Sequence, residues 1–476
     1  MSETMPHEVA ARFRALVAER DQLDAEAAAP KLVEPRGLYQ GRAAFVLTPR
    51  SVDEVAAIVR LAHETGTTVV PQGGNTGLVG GQTPDGSGRA ILLSTARLDR
   101  IREVDAEGNL MVVEAGVTLQ RAQEAAEAAG RLFPLSLGSE GTCTIGGNIA
   151  TNAGGTAVLA YGNTRDLVLG VEAVLPDGRV WNGLRRLRKD NTGYDLKHLF
   201  IGSEGTLGIV TAAVLKLFPA PRETATAFVG LSSPQAALAL FQIARLHAGP
   251  ALTGCEIMPR IGVDFTLRHM AGARDPLEAV HPWYILLELS SPLAMGLGET
   301  LEAILAEAFE AGVVDDAAIA ASGEQSASFW RLRLGLSEVQ GHEGGSIKHD
   351  VSVPLARVAA FIEEATAAVE AHLPEARVVA FGHIGDGNIH FNVSQPVGAD
   401  KAQYLAGWDA MNRVVHAVVA AHGGSVAAEH GVGRLKRGLL EDVKSDVELD
   451  LMRAVKRALD PKGVFNPGVV LAETRS

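Results

Sequence analysis

Two glycine-rich segments constrain the fold of this chain most strongly. The first, PQGGNTGLVGG from Pro71 to Gly81, has five glycines in eleven residues and directly follows the strand-like segment TTVV. It carries neither the P-loop pattern nor the GxGxxG pattern of common nucleotide-binding loops. Alone it could be a surface turn, but a second segment, residues 134–155, is equally rich in Gly, Ser, Thr and Asn. Because bare N–H groups in such loops can cradle phosphates, the pair predicts a large, flat, polar ligand with many backbone contacts.

The composition indicates a globular protein with more than one domain. A chain of 476 residues is too long for a single core, and 47% apolar with 21% charged residues is ordinary for globular proteins. The net charge of −13 argues against nucleic acid as a partner, because phosphate backbones bind basic surfaces. The two cysteines, Cys143 and Cys255, exclude a disulfide framework and favour a reducing compartment.

The N-terminal sequence predicts a cytoplasmic location. It carries Glu3, Glu8 and Glu19, and it lacks the apolar core of about 7–15 residues that a secretory signal needs. No window of the chain reaches the roughly 18 uninterrupted apolar residues of a membrane span.

Breaks in the hydrophobic pattern predict four segments. An Ala-rich helical arm ends near Pro30, and Pro219 and Pro221 lie in a polar break between two α/β patterns. The predicted division is an arm (1–35), a ligand-binding domain with both glycine-rich segments (36–220), a second domain (221–425) and a C-terminal segment returning to the first domain (426–476). Ser51 with Glu54 predicts a capping box before a helix that Gly66 ends, and further helices are predicted at 233–247, 298–311 and 355–373.

The segment FGHIGDGNIHFNV predicts a hairpin with two histidines on one face. Polar and apolar residues alternate from Asn388 onward, which is typical of a half-buried strand, and Asp386-Gly387 favours a two-residue turn. Closing the hairpin at that turn pairs His383 with His390, with Cβ atoms about 4.5–5.5 Å apart. The two imidazoles could share a metal ion or be hydrogen-bonded core histidines.

Two further segments supply candidate site residues. A catalytic zinc usually has three protein ligands, and SVAAEHGVG offers Glu429 and His430, although these could also form a solvated loop pair. The segment FWRLRLGLSEVQGHEGGSIKHDVSVP contains Arg331, Arg333, Ser337 and Lys348. Arg333 and Ser337 share a face if the segment is helical, and such cations either bind a carboxylate or form a solvated basic face.

The glycine-rich segments and the later GSEGTLGIVT resemble the FAD-binding domain of the vanillyl-alcohol-oxidase-type flavoprotein superfamily. The resemblance implies that the first loop wraps the pyrophosphate, the second lies along the flavin and the third reaches the adenosine. The implied FAD contacts are Pro71, Gly73, Gly74, Asn75, Thr76, Gly77, Leu78, Gly138, Ser139, Thr142, Gly146, Gly147, Asn152, Gly162, Glu204, Ile209 and Asn466. Asn75 stands where some relatives attach flavin covalently through His, so the FAD is expected to be non-covalent. Cys143 lies in a GTCTIGG context unlike the CPT pattern of bicovalent relatives, which favours packing over a flavin link.

FGHIGDGNIHFNV followed by AAEHGVGRLK resembles the C-terminal domain of FAD-dependent D-2-hydroxyglutarate and D-lactate dehydrogenases, over about residues 36–471. The resemblance implies a fold of class α+β: a VAO/PCMH-type FAD-binding domain plus an α/β substrate domain with an antiparallel sheet. It implies Zn²⁺ or another divalent metal on His383, His390 and Glu429, and His430 as the catalytic base. Arg333, Ser337 and Lys348 would hold a distal carboxylate, with Ser337 where Thr is expected, and Asn392 would orient the substrate.

The expected function is oxidation of a D-2-hydroxy acid, foremost D-2-hydroxyglutarate, to the 2-oxo acid with hydride transfer to flavin N5. The alternatives are a D-lactate or D-malate dehydrogenase of the same family and a metal-free flavin oxidase. A non-catalytic subunit with structural zinc would need more cysteine ligands than two cysteines can supply. The electron acceptor stays open among an electron-transfer flavoprotein, a quinone and a 2-oxo acid, and a homodimer is allowed.

Overall fold

The computed structural model describes residues 5–472, which form two compact units. The first unit contains the described residues up to Gly154, residues 162–220 and the chain from His430 on, and the second contains residues 155–161 and 221–429. In this division the N-terminal arm is not a separate segment, and two boundaries differ from the expected ones. Residues 155–161 belong to the second unit, because their helix Val158–Tyr161 packs on that unit's strand Leu252–Pro259. The return to the first unit begins at His430 instead of residue 426.

The first unit is built on short sheets of mixed type. Its five-stranded sheet is antiparallel, and its three-stranded sheet is parallel. In spatial order, the five strands are Ile101–Asp105, Leu110–Glu114, Ile209–Lys216, Val168–Val174 and Val180–Gly183. The three parallel strands are Phe45–Leu47, Ile91–Ser94 and Val69–Gln72, and Arg131–Leu132 pairs with Phe218–Pro219. The first glycine-rich segment therefore leaves an edge strand of the parallel sheet.

The helix Val52–Thr65 of the first unit shows how the local sequence determines where a helix begins and ends. The Ser51 hydroxyl accepts a hydrogen bond from the N–H of Glu54, and Gly66 ends the helix at φ 69°. In a capping box the Glu54 carboxylate would accept from the N–H of Ser51. Here it accepts instead from the N–H of the preceding residue, Arg50, at 2.7 Å. The buried face of this helix packs with Phe13 in one core cluster, so the N-terminal arm belongs to the first unit.

The helices of the first unit are mostly short. They are His7–Arg14, Ala25–Ala28, Val52–Thr65, Leu119–Ala128, Ile145–Thr151, Thr164–Leu167, Lys197–Phe200, Leu440–Val443 and Asp446–Leu459, with 3-10 turns at Glu19–Asp21, Ala29–Leu32, Thr95–Arg97 and Arg437–Leu439. Among the helices of residues 5–472, none combines the length and the apolar character needed to span a bilayer.

The second unit is a seven-stranded antiparallel sheet with helices on both faces. In spatial order its strands are Asp316–Ile319, Glu223–Leu231, Trp283–Ser291, Leu252–Pro259, Arg377–His383, Asn388–Ser394 and Ser346–Ser352. Its helices are Val158–Tyr161, Pro234–Ala248, Arg260–His269, Leu297–Glu310, Gly323–Val339, Val358–His372, Lys401–Ala406 and Trp408–Ala421, with 3-10 turns at Gly249–Ala251, Gln340–Glu343 and Leu355–Arg357. The three helices expected in this domain are thus observed within three residues of their predicted ends.

The two faces of this sheet are distinguished by alternation along the strand Asn388–Ser394. Phe391 contacts Phe361 of the helix Val358–His372 on one face, with ring centroids 5.6 Å apart. The opposite face carries His390 and its cross-strand partner Phe381, and there a buried apolar cluster packs Phe381 with Leu336 of the helix Gly323–Val339. The polar site lies on this second face.

The predicted hairpin register is wrong by two residues. His383 pairs with Asn388, and Phe381 pairs with His390, so the turn spans residues 384–387. The N–H of Ile384 donates to the carbonyl of Cys255 in the neighbouring strand at 3.2 Å, which removes Ile384 from the hairpin ladder. Because a shift of two residues preserves the side-chain face, His383 and His390 remain on one face as diagonal neighbours.

Candidate functional site

The first glycine-rich loop presents backbone groups. Among the residues that the structure describes, no backbone carbonyl accepts a hydrogen bond from the N–H groups of residues 73–77. A Cβ on Gly74 would clash with the carbonyl oxygen of Thr142, and one on Gly73 would clash with the Thr144 hydroxyl. The two glycine-rich segments therefore pack backbone against backbone, and their N–H groups fit a ligand held through phosphate oxygens.

The side chain of Asn75 serves the fold. Its Nδ2 donates to the carbonyls of Pro30 at 3.1 Å and Val33 at 3.0 Å, while its backbone is left-handed at φ 57°. This amide therefore ties the loop to the N-terminal arm. The backbone of Asn75 remains as the part that can face a cofactor.

Three other expected cofactor residues also bind protein groups. The carboxylate of Glu204 accepts from the N–H groups of Val432 and Gly433, each at 2.8 Å, and burial raises the pKa of Glu204. Asn466 Nδ2 donates to the carbonyls of Gly81 at 2.8 Å and Glu204 at 2.9 Å. Asn466 therefore joins the C-terminal segment to the first glycine-rich loop, and Glu204 joins its own loop to the C-terminal segment. Asn152 Oδ1 likewise accepts from the N–H of Arg165 at 2.9 Å.

The remaining expected cofactor residues lie on the same loops and at their edges. They are Pro71 in the strand Val69–Gln72, then Thr76, Gly77 and Leu78 in the first loop, Gly138, Ser139, Thr142, Gly146 and Gly147 in the second, Gly162 before the helix Thr164–Leu167, and Ile209 at the start of a strand. Cys143 is a buried free thiol, and burial raises its pKa, as expected for a packing residue.

In the second unit, three predicted metal ligands converge. Glu429 places Oε1 3.6 Å from His383 Nε2 and Oε2 3.9 Å from His390 Nε2. The two imidazole rings meet edge to face with centroids 5.5 Å apart. Donors bound to zinc at about 2.0–2.2 Å in a tetrahedron lie roughly 3.3–3.6 Å apart. Each imidazole therefore places a nitrogen near the Glu429 carboxylate, and two imidazole nitrogens with a carboxylate oxygen are donor types that zinc binds.

Glu256 fixes the orientation of His383. Its Oε1 lies 2.7 Å from His383 Nδ1, which leaves Nε2 toward Glu429. Burial disfavours the imidazolium, but the carboxylates of Glu256 and Glu429 outweigh burial and raise the pKa of His383 to about 9. A carboxylate behind a histidine ligand is the usual support of a metal site.

Asp350 is a site residue that the sequence analysis missed. Its Oδ2 accepts from the N–H of Glu429 at 2.9 Å, and its Oδ1 accepts from Asn388 Nδ2 at 3.1 Å. Ligand atoms of Asp350, His390 and Glu429 lie within 4.8 Å of one another. Through its hydrogen bond to the N–H of Glu429, Asp350 supports the Glu429 loop. Alternation in IKHDVS, which places Asp350 on the face of Lys348, is the signal that could have found it.

The predicted carboxylate-binding residues lie near the same face. Arg333 is buried, and its Nε donates to Glu256 Oε2 at 2.7 Å. Lys348 Nζ donates to the carbonyl of Ser337 at 3.2 Å. Arg331 is exposed and donates to the carbonyl of Ala271, so it is not part of the group.

The other two predicted site residues are Asn392 and His430. Asn392 shares a face with His390, and its Nδ2 donates to Gln340 Oε1 at 3.0 Å. His430 directly follows Glu429 in the chain and is the first residue of the returning segment of the first unit.

Known proteins resemble this chain along nearly its whole length. The family model described as FAD linked oxidases, C-terminal domain, matches residues 220–470, and the FAD binding domain model matches residues 43–183. The mitochondrial D-2-hydroxyglutarate dehydrogenase of Bos taurus is 39% identical over 445 residues, covering 93% of this chain and 80% of that protein. A D-2-hydroxyglutarate dehydrogenase of Xanthomonas citri pv. viticola is 37% identical over 427 residues, covering 89% and 88%. The solved structure of 4-ethylphenol oxidase from Gulosibacter chungangensis has the same fold, with a TM-score of 0.76 at 18% identity, covering 98% of this chain and 97% of that one.

Proposed function

The chain belongs to the family of FAD-linked oxidases, and from this premise we propose that it is a dehydrogenase that oxidises D-2-hydroxyglutarate to 2-oxoglutarate. One observation carries the proposal. Arg333 and the group His383, His390 and Glu429 are connected through Glu256 in the second unit. A site with metal ligands on one side and an arginine on the other suits a substrate that has a 2-hydroxy acid group at one end and a second carboxylate at the other.

The protein's residues have separate roles in this reaction. FAD held by the glycine-rich loops would supply a hydride acceptor, and a divalent ion held by His383, His390 and Glu429 would supply positive charge that lowers the pKa of the substrate hydroxyl. His430, as neutral imidazole, accepts the hydroxyl proton while the C2 hydrogen leaves as hydride.

Different residues recognise the two carboxylates of the substrate. Arg333 and Lys348 bind the distal carboxylate with the Ser337 hydroxyl, and Asn392 donates to the carboxylate next to the reacting carbon. D-Lactate has only a methyl group at the distal end, so it gains nothing from Arg333 and Lys348. D-Malate, a shorter dicarboxylate, is the second candidate substrate.

We propose that FAD is held without a covalent bond. An amide nitrogen cannot form the flavin link that histidine forms, and Asn75 Nδ2 already donates to Pro30 and Val33. Acid or heat should therefore release the flavin from the denatured chain. Flavin that stays with the precipitated polypeptide would contradict this proposal.

The decisive experiment combines metal analysis with anaerobic reduction of the flavin. We expect stoichiometric divalent metal and flavin bleaching that is fastest with D-2-hydroxyglutarate, slower with D-malate and slowest with D-lactate. The L-enantiomers serve as controls. Metal-free protein that is bleached equally well, and that is rapidly reoxidised by O₂, would favour the alternative of a metal-free flavin oxidase.

A further inference from the structure

We infer that Glu256 is a positioning residue that couples the metal site to recognition of the substrate's second carboxylate. The inference rests on the proposed function and adds a residue to it. Glu256 is 1% exposed, and its two oxygens are divided between two partners. Oε1 contacts His383 Nδ1 and Oε2 contacts Arg333 Nε, each at 2.7 Å. Both partners are donors, so an ionised carboxylate is the group that can accept from both at once.

The backbone fixes the first half of this bridge. Glu256 and His383 are direct cross-strand partners in antiparallel strands, so their side chains project to the same face at close range. With Nδ1 held by Glu256, the ring of His383 turns Nε2 toward Glu429, and a metal that binds there would displace the Nε2 proton.

Packing fixes the second half. The guanidinium of Arg333 lies over the Phe381 ring, 4.9 Å from its centroid, and its Nε is bound by Glu256. These two contacts set both the plane and the rotation of the group. The two terminal nitrogens are left to make the paired hydrogen bonds that a substrate carboxylate accepts.

The carboxylate of Glu256 therefore positions both His383 in the metal site and Arg333 in the site for the second carboxylate. A substitution of Glu256 should alter the properties of both sites. Glutamine at position 256 has one acceptor oxygen, and its NH₂ group would face an N–H donor of either His383 or Arg333. Movement of the side chain toward one partner also lengthens its distance to the other. A purely structural residue would lower stability without these two specific effects.

Glu288 provides a matched control. It is a mostly buried acid on the adjacent strand, its Oε2 accepts from Trp330 Nε1 at 2.6 Å, and burial raises its pKa. Its hydrogen-bond partners, Trp330 and Thr226, are outside the proposed site. Glu288→Gln thus makes the same chemical change at a buried acid of the same sheet.

The test measures Zn²⁺ affinity by chelator competition on stripped protein, and then the kinetics of the Zn²⁺-loaded protein. In Glu256→Gln we expect Zn²⁺ affinity to fall about 10- to 100-fold, the usual cost of losing a supporting carboxylate. We also expect KM for D-2-hydroxyglutarate to rise about tenfold or more, while KM for D-lactate stays near wild type. Glu288→Gln should change neither quantity.

The background variant Arg333→Ala separates the two halves of the bridge. There, adding Glu256→Gln should still weaken Zn²⁺ binding but should leave KM for D-2-hydroxyglutarate where Arg333→Ala alone put it. Wild-type Zn²⁺ affinity in folded Glu256→Gln would overturn the inference, as would equal KM changes for both substrates. If the wild-type protein oxidised no 2-hydroxy acid, the proposed function would fail on that result alone. The Zn²⁺ titration of Glu256→Gln and Glu288→Gln would still decide the role of Glu256.

Discussion

The two units of this molecule build their candidate sites from different parts of the chain. In the first unit the loop at Gly73 and Gly74 presents backbone N–H groups, and the adjacent side chain of Asn75 binds the N-terminal arm. In the second unit the candidate metal ligands are the side chains of His383, His390 and Glu429, which antiparallel strands and buried acids hold in position.

This difference determines what a substitution does. Removing a side chain of the second unit's site removes a ligand while the sheet beneath it keeps its backbone hydrogen bonds. Removing a side chain from the first unit's loop alters the contacts between segments, and adding a methyl group to a glycine there is the more direct perturbation.

The largest effect is expected for His390→Ala. A three-ligand site that loses one imidazole should lose its metal and its turnover together. The flavin spectrum should survive, because the glycine-rich loops belong to the first unit. Metal content, flavin absorbance and rate are measured on the same preparation.

His247→Ala is the control for this substitution, since His247 pairs with Glu307 on the surface of the second unit. It should keep both metal and rate. Full metal content in His390→Ala would show that the two imidazoles do not share an ion.

The second effect is expected for His430→Ala. Loss of a general base costs about 10²–10⁴ in rate, so flavin reduction should slow by that factor with Zn²⁺ content unchanged. Stopped-flow reduction of the flavin by D-2-hydroxyglutarate measures it. Loss of metal along with rate would instead make His430 a ligand, and the contrast between ligand and base at adjacent positions would disappear.

Sequence analysis and structure agree where side-chain alternation carries the information. The same-face placement of His383 and His390 is confirmed, although the register is shifted by two residues. That shift depends on the hydrogen bond from Ile384 to Cys255, and a contact with a strand distant in sequence cannot be predicted from the hairpin itself.

The same limit explains the residues that were missed. Glu256 precedes His383 by more than a hundred positions, and only the pairing of their strands brings them together. In the first unit, motif resemblance selected Glu204 and Asn466 as cofactor contacts, but their side chains hold the loops. A motif marks such residues without showing whether they touch a ligand or the backbone around it.

The third prediction concerns Arg333→Ala. Loss of a charge-assisted hydrogen bond costs about 1.5–3 kcal/mol, so kcat/KM for D-2-hydroxyglutarate should fall roughly 10- to 150-fold. The loss for D-lactate should be much smaller. Arg331→Ala is the control, because Arg331 lies two residues away but is exposed and bound to Ala271. Equal losses for both substrates would assign Arg333 to the fold or to the carboxylate beside the reacting carbon.

The fourth prediction tests the first unit through Gly74→Ala. The added methyl group would clash with the carbonyl oxygen of Thr142, so the two loops must separate at a cost of about 1–3 kcal/mol. FAD content and thermal stability should both fall. Gly86→Ala is the control, because a Cβ there meets no heavy atom within 4 Å. If Gly74→Ala bound FAD as well as Gly86→Ala does, the loop would not be held by backbone packing.

The smallest effect concerns stability of the second unit, where side chains again carry the interactions. Glu343 accepts from Arg268 at 2.6 Å, His269 at 2.7 Å and Arg377 at 2.5 Å. Burial alone would raise the pKa of Glu343, but these donors outweigh burial and lower it to about 2 from 4.5. A carboxyl group with a lowered pKa stabilises the fold at any pH above its unfolded-state pKa. This contribution is lost as pH falls from about 4.5 toward 2.

Glu343→Gln should therefore lower the free energy of unfolding by about 1–2 kcal/mol at pH 7, since partly exposed partners are screened by solvent. The difference from wild type should shrink below about pH 4.5. A difference that stays constant from pH 7 to pH 3 would mean that Glu343 contributes through packing and not through its charge.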